Sequence, residues 1–523
     1  MRRRRFFASM GLLASAFAMK NARAQAPGVA NAEAETALPD AASATRTARH
    51  YLERIALLDR QGPQLRSIIE LNPDALPIAH ALDAERAAGT VRGPLHGVPV
   101  VIKDNIATGD KMATTAGSLA LDGICATRDA YLVERLRASG VVILGKTNLS
   151  EWANIRSSRS ASGWSGRGGL ARNPYALDRS TSGSSSGSAA AVAAGLTRMA
   201  IGTETDGSIV SPSSIMGVVG LKPTVGRISR DGIIPISHTQ DTPGPITRTV
   251  SDAALLLTAL AGTDPRDPAT LGAPAPGDYL GALNKDALRG ARIGVAREFF
   301  TGHDEVDQHI ERAIAQLTLR GAEVIDPIDL PKVSYDTEEQ AVLLHEFKND
   351  LPLWLATFAP HAPIRTLADL IAFNEAQHAR EMPYFGQELF IQAEALGGLD
   401  SDVYLQALAA CRKGARDNGI DRVIREQRLD AIVAPTGGTA WLTDLINGDS
   451  AGDGFSTPAA VAGYPHLTVP AGLVRGLPVG LSFVGPAWSE ARILGLGYAF
   501  EQATQWRSEP RFTKRTSIPP LVV

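Results

Sequence analysis

Short runs of consecutive apolar residues alternate along this chain with longer stretches whose apolar positions recur at helical spacing. Val98–Ile102, Val141–Leu144, Arg292–Ala296, Ala431–Ala434, His466–Pro470 and Val479–Val484 are strand-length runs of the kind buried on both faces. Arg66–Glu70 is a shorter strand candidate. A helix is predicted over Ala41–Leu58, where Tyr51, Leu52, Ile55 and Leu58 share a face. Leu76–Ala88 reads as a helix closed by Gly89, and Asp129 as the cap of a helix that runs through Leu136 and stops at Gly140. Val250–Leu260, opened by Ser251-Asp252, and His309–Arg320 are further helices, and residues 335–428 are mostly helical in pattern. Strands alternating with helices predict an α/β fold, a sheet with helices on its faces. With no internal repeat or long linker, residues 41–523 read as a single domain, with a helical elaboration at about 335–428.

Composition narrows the function classes. The 523 residues are 44% hydrophobic and 20% charged, ordinary for a globular chain. A net charge of −3 supplies no basic field, so a nucleic-acid partner is not expected. Cys125 and Cys411 form neither a ligand cluster nor a disulfide framework, and whether they pair stays open. Residues 1–24 read as an export signal: Arg2 to Arg5, then Phe6-Phe7, then a mildly apolar stretch too short to span a bilayer. Ala22-Arg23-Ala24 or Ala24-Gln25-Ala26 offers the cleavage site. The arginine run followed by two phenylalanines resembles a twin-arginine signal, the alternative being a Sec signal with an arginine-rich start. A periplasmic or secreted protein is expected, with no membrane partner beyond the export machinery. Residues 25–40 form a loose lead-in.

Two literal motifs fail on context. Gly140 to Thr147 reads GVVILGKT, but its middle residues are the strand itself, not a phosphate-cradling loop. Gly183 to Gly187 reads GSSSG, which with Asp430 and His466 could make a Ser–His–Asp hydrolase, but no hydrophobic strand precedes it. Neither an H-E-x-x-H nor a paired-cysteine motif is present, so no metal or other cofactor is expected.

The stronger signal is SGSSSGS at Ser182 to Ser188, a helix-forming AAAVAAGLTRMA, and then GTETDGSIVSP from Gly202 to Pro212. Small residues let backbone N–H groups crowd a reacting atom, and serines can attack or relay protons. Lys103 ends the apolar run GVPVVIKDN. Desolvation there would lower its pKa and let it act as a base for serine; its plain alternative is a strand-end lysine paired with Asp104.

These three segments together resemble the amidase signature family. The resemblance extends through GPLHGVPVVIKDN (93–105), VILGKTNLSEWAN (142–154), GVVGLKPTVG (217–226), QDTPGPITRTVSDAA (240–254), DAIVAPT (430–436) and GLPVGLSFVG (476–485). It implies a large mixed sheet flanked by helices and a Ser–cis-Ser–Lys mechanism. By position Lys103 is the base, Ser184 the bridging serine, with a cis bond to Ser185, and Ser208 the nucleophile. The backbone N–H groups of Thr205, Asp206, Gly207 and Ser208 stand at the oxyanion hole. Asp206, Ser186, Glu204 and Val210 depart from the common family pattern, but SGSSSGS, GTETDGSI, SRDGIIPIS (229–237) and QDTPGP are similar to bacterial peptide amidases. That implies hydrolysis of the C-terminal amide of peptides, with LLHEFKNDL (343–351) and YFGQEL (384–389) in or near a peptide groove. A broad aryl or aliphatic amidase and a non-catalytic binding protein on the same frame are the alternatives.

Overall fold

Among the described residues, eleven strands form one mixed sheet at the centre of the computed structural model. The structure describes residues 43–332, 335–452 and 454–516. The expected export signal and the lead-in at 25–40 lie outside them. In chain order the strands are β1 (Ile68–Leu71), β2 (Pro99–Lys103), β3 (Val142–Thr147), β4 (Met199–Glu204), β5 (Val219–Lys222) and β6 (Thr242–Thr247). They continue as β7 (Arg292–Val295), β8 (Glu323–Ile325), β9 (Ala431–Pro435), β10 (His466–Val474) and β11 (Leu477–Val484). Their order across the sheet is β1-β3-β2-β4-β6-β5-β10-β11-β9-β7-β8. β3, β2 and β4 run parallel, as do β9, β7 and β8, and the strands between them pair antiparallel.

The side-chain period of two divides the strand residues between two helical layers. On β2, Val100 and Ile102 join one core cluster and Val101 the other; on β4, Met199 and Ile201 oppose Ala200. The first layer holds the helices Tyr131–Ala138, Val250–Leu260, Asp304–Leu319 and Glu490–Thr504, and the second Ala44–Arg54, Ala75–Ala87 and Ser186–Ala193. Because both faces are covered, strands such as β2, β3 and β9 are continuous apolar runs, which made them visible in the sequence. The expected helical stretch is the succession of helices from Asp336–Phe358 to Asp421–Gln427.

Three expectations need correction. β6, TPGPIT, was not predicted: two prolines and a glycine argue against a strand. It is tolerated because β5 pairs with it only at Ile246 and Thr247, beyond both prolines. β4 was absorbed into the preceding helix-forming run, which in fact stops at Ala193. Asp129 does not cap its helix, which starts at Tyr131 without a side-chain cap. Its carboxylate instead accepts the Gly109 N–H at 2.7 Å and the Arg137 guanidinium at 2.8 Å. Cys125 and Cys411 are both free thiols.

Gly187, the second residue of the helix Ser186–Ala193, lies against backbone. An added Cβ would strike the carbonyl oxygens of Ser67 and Asn148. Gly187→Ala is expected to lower stability by about 1–3 kcal/mol, read as a lower urea midpoint with an unchanged slope.

Candidate active site

Lys103 is the last residue of β2, and β4 is its parallel neighbour, pairing Ile102 with Ile201. The carboxyl ends of these two strands therefore deliver Lys103 and the segment after Glu204 to the same place. Open α/β sheets place their sites at such strand ends. Lys103 is fully buried, and its Nζ lies 2.7 Å from Ser184 Oγ, 2.8 Å from Thr203 Oγ1 and 3.1 Å from the Thr203 carbonyl. Asn105 Nδ2 donates to the same threonine hydroxyl at 3.0 Å. Burial pulls the Lys103 pKa down to about 7, against the opposing pull of Asp241 and Glu204. A neutral amine in this setting has two N–H bonds for Thr203 and a lone pair for the Ser184 hydroxyl.

The alternative partner for Lys103 does not hold. Asp104 points elsewhere: its carboxylate accepts the Thr115 hydroxyl and lies 3.7 Å from Arg167.

Ser184 belongs to a tightly bonded turn. The Gly183–Ser184 peptide is cis, so the cis bond precedes Ser184 and is not the expected one to Ser185. Ser185 Oγ donates to the Thr203 carbonyl at 3.0 Å and accepts the Thr203 N–H at 3.2 Å, which pins the turn to β4. The Ser185 N–H donates to the Ser208 carbonyl at 3.1 Å, joining the two serine turns directly. Ser186 Oγ donates to the Ser182 carbonyl at 2.6 Å. Ser185 and Ser186 are thus scaffolding beside Ser184.

The second turn, Thr205 to Ser208, leaves the end of β4. Gly207 takes a positive φ of 73°, where a side chain would be strained. An added Cβ there would also lie 3.0 Å from Ser456 Oγ. Glu204 fixes the far end of the turn: its carboxylate accepts the N–H groups of Ile209 and Val210 at 2.7 and 2.9 Å. Asp206 accepts the Thr457 hydroxyl at 2.7 Å, so its carboxylate is drawn toward the helix Thr457–Ala462. Ser208 is 7% exposed.

The structure thus brings together Lys103, Ser184 and the turn Thr205–Ser208. It sets Asp430 and His466 apart from the serine turn. His466 is buried on β10, where Nε2 and the Ser482 hydroxyl are 2.6 Å apart, and burial pulls its pKa down to about 3. Asp430 accepts from the Arg292 N–H and the Arg492 guanidinium. The GKT segment is confirmed as strand: Lys146 is buried and donates to the Ile106 carbonyl and to Thr114. Thr203 and Asn105 were missed, because their closeness to Lys103 follows from the β2–β4 register, which no motif records. Of the quoted helical segments, Phe347 stacks on Phe390 at 5.2 Å as core. Glu388 accepts from Ser157 and Ser158, tying the elaboration to the sheet domain.

A family model described as Amidase matches residues 46–494. The chain belongs to the amidase signature family. A probable amidase of Arabidopsis thaliana is 44% identical, over 88% of this chain and 87% of that one. The native peptide amidase of Stenotrophomonas maltophilia is 52% identical, with a TM-score of 0.86 over 90% of this chain and 95% of that one. A putative amidase of Schizosaccharomyces pombe is 38% identical, over 88% of this chain and 82% of that one. The protein is therefore an amidohydrolase, and the expected mixed sheet between helices is its fold.

Two outcomes follow from this amidase site. If neutral Lys103 is required, kcat/KM will fall about tenfold per pH unit below the Lys103 pKa of about 7 and level off above it. A flat profile down to about pH 4 would remove the lysine base. His466→Ala should leave kcat of the folded enzyme within about twofold. It should cost about 2–4 kcal/mol of stability, because it opens a buried cavity and removes one of the two partners of the Ser482 hydroxyl, which keeps its bond to Thr436.

Proposed function

We propose that this amidase hydrolyses the C-terminal carboxamide of peptides and releases ammonia. Neutral Lys103 accepts a proton relayed through Ser184 as Ser208 attacks the amide carbon. The developing oxyanion is held by backbone N–H groups of the turn Thr205–Ser208, each such donor being worth about 3 kcal/mol in the transition state. Ser184 then passes a proton to the leaving amine, and water releases the acyl group by the reverse sequence. The observation that carries this mechanism is the 2.7 Å contact between the buried Lys103 amine and Ser184 Oγ. A depressed lysine pKa beside a hydroxyl is the arrangement a serine–lysine hydrolase needs.

The peptide-amide substrate is supported by the 52% identity to peptide amidase across nine-tenths of the chain. Asp206 and Ser186, which depart from the common family pattern, both have bonded places in this site. That favours a working variant of it over a binding protein. For the location we propose export by the twin-arginine route, supported by Arg3-Arg4-Arg5-Phe6-Phe7.

Ammonia release from a C-terminally amidated dipeptide, by the mature chain and by Ser208→Ala, tests the reading. Wild type is expected to turn the substrate over, and the variant to lose at least about 10⁴-fold in kcat. Release only from aryl or aliphatic amides would replace the substrate class and keep the mechanism. Equal turnover by Ser208→Ala would remove Ser208 as nucleophile.

A further inference from the structure

The segment Ser237–Asp241 lies between the turn Thr205–Ser208 and the helix Asp336–Phe358, bonded to both. On its inner side Asp241 Oδ1 accepts the Thr205 hydroxyl at 2.6 Å. The other oxygen, Oδ2, accepts the N–H groups of Ile236 and Ser237 at 2.8 and 2.9 Å. The carboxylate thus closes its own loop with one oxygen and aims the other at the first residue of the turn.

On the outer side Glu346 is fully buried and gathers donors from the same segment. The Ser237 hydroxyl donates to one of its oxygens, as do the Thr239 N–H and hydroxyl, each at 3.1 Å. Tyr404 donates to its second oxygen at 2.7 Å. Between the two acids, Gln240 Nε2 donates to Glu339 at 2.7 Å and reaches the Thr205 carbonyl at 3.4 Å. Thr205 is therefore gripped at its hydroxyl and at its carbonyl, from a segment that the helical elaboration holds in place.

We propose that Asp241 is a positioning residue for the amidase reaction, fixing Thr205 and the oxyanion turn relative to Lys103, and that Glu346 anchors it to the helical elaboration. This rests on the serine–lysine reading above. Thr205 is the joint between β4 and the turn, so freeing its side chain lets the whole row of N–H groups swing. Misplacement of about 1 Å at such a site costs about 100-fold in rate. A plain packing role for Asp241 would not touch the base. Asp241, however, also acts electrostatically on Lys103. The charged groups facing Lys103 are Asp241 and, on β4, Glu204; Arg230 acts on Asp241. Both carboxylates favour the protonated lysine, so removing the Asp241 charge makes the amine easier to neutralise.

The test is steady-state kinetics of the mature enzyme on the amidated dipeptide, with far-UV circular dichroism as a check on folding. Asp241→Asn is expected to lower kcat by about 10- to 100-fold with little change in KM, and to move the acid limb of kcat/KM to lower pH. Glu346→Gln is expected to lower kcat less and leave the acid limb in place. A folded Asp241→Asn with wild-type kcat and a wild-type acid limb would overturn the positioning role. Wild-type kcat in Glu346→Gln would overturn the anchor. Should Asp241→Asn not fold, Thr205→Val cuts the same link, and an unchanged kcat there overturns the proposal. Failure of the wild type to release ammonia from any amide would overturn the reading beneath it and the proposal with it.

Discussion

Everything at this site depends on keeping the amine of Lys103 out of water. A lysine at the end of an inner strand, walled in by neighbouring strands, loses hydration that its charged form needs. The two carboxylates that act on it return only part of that loss. The balance leaves a pKa of about 7, so the group can hold or release a proton near neutrality. Without the sheet packed around β2, Lys103 would be an ordinary cation and the adjoining serine an ordinary hydroxyl. The helices on both faces of the sheet therefore have a chemical role as well as a packing one.

The serines divide their labour by where their oxygens point. Ser184 faces the amine, while Ser185 and Ser186 spend their hydroxyls on backbone groups of Thr203 and Ser182. This is how a run of similar residues can leave a single hydroxyl facing the amine. Glu204 and Asp206 show the same economy: each carboxylate has polar donors within reach, so acids can sit beside the turn.

Strands such as β2 and β3 were legible because burial on both faces leaves a continuous apolar run, as in Val98–Ile102. β6 was not, because proline is a poor strand former unless one side of the ladder is left open, and only the sheet order reveals that. The site divides in the same way. Lys103, Ser184 and Ser208 stood out through the motifs around them. Thr203 and Asn105 did not, since a register between β2 and β4 has no local signature. Nor does the position of the cis bond: Gly183–Ser184 and Ser184–Ser185 are equally plausible in SGSSSGS. Asp129 failed as a cap because a nearby arginine and a backbone N–H compete for the same carboxylate.

The contacts that define the site are far apart along the chain. Lys103 and Ser184 are separated by 81 positions, and Lys103 and Thr203 by 100. A growing polypeptide cannot close that gap until β2 and β4 have both been made and paired. Non-local pairing of this kind is slow and cooperative. Turnover therefore counts fully assembled molecules, and a nick between residues 103 and 184 would leave a working site only while the sheet itself held the two pieces together.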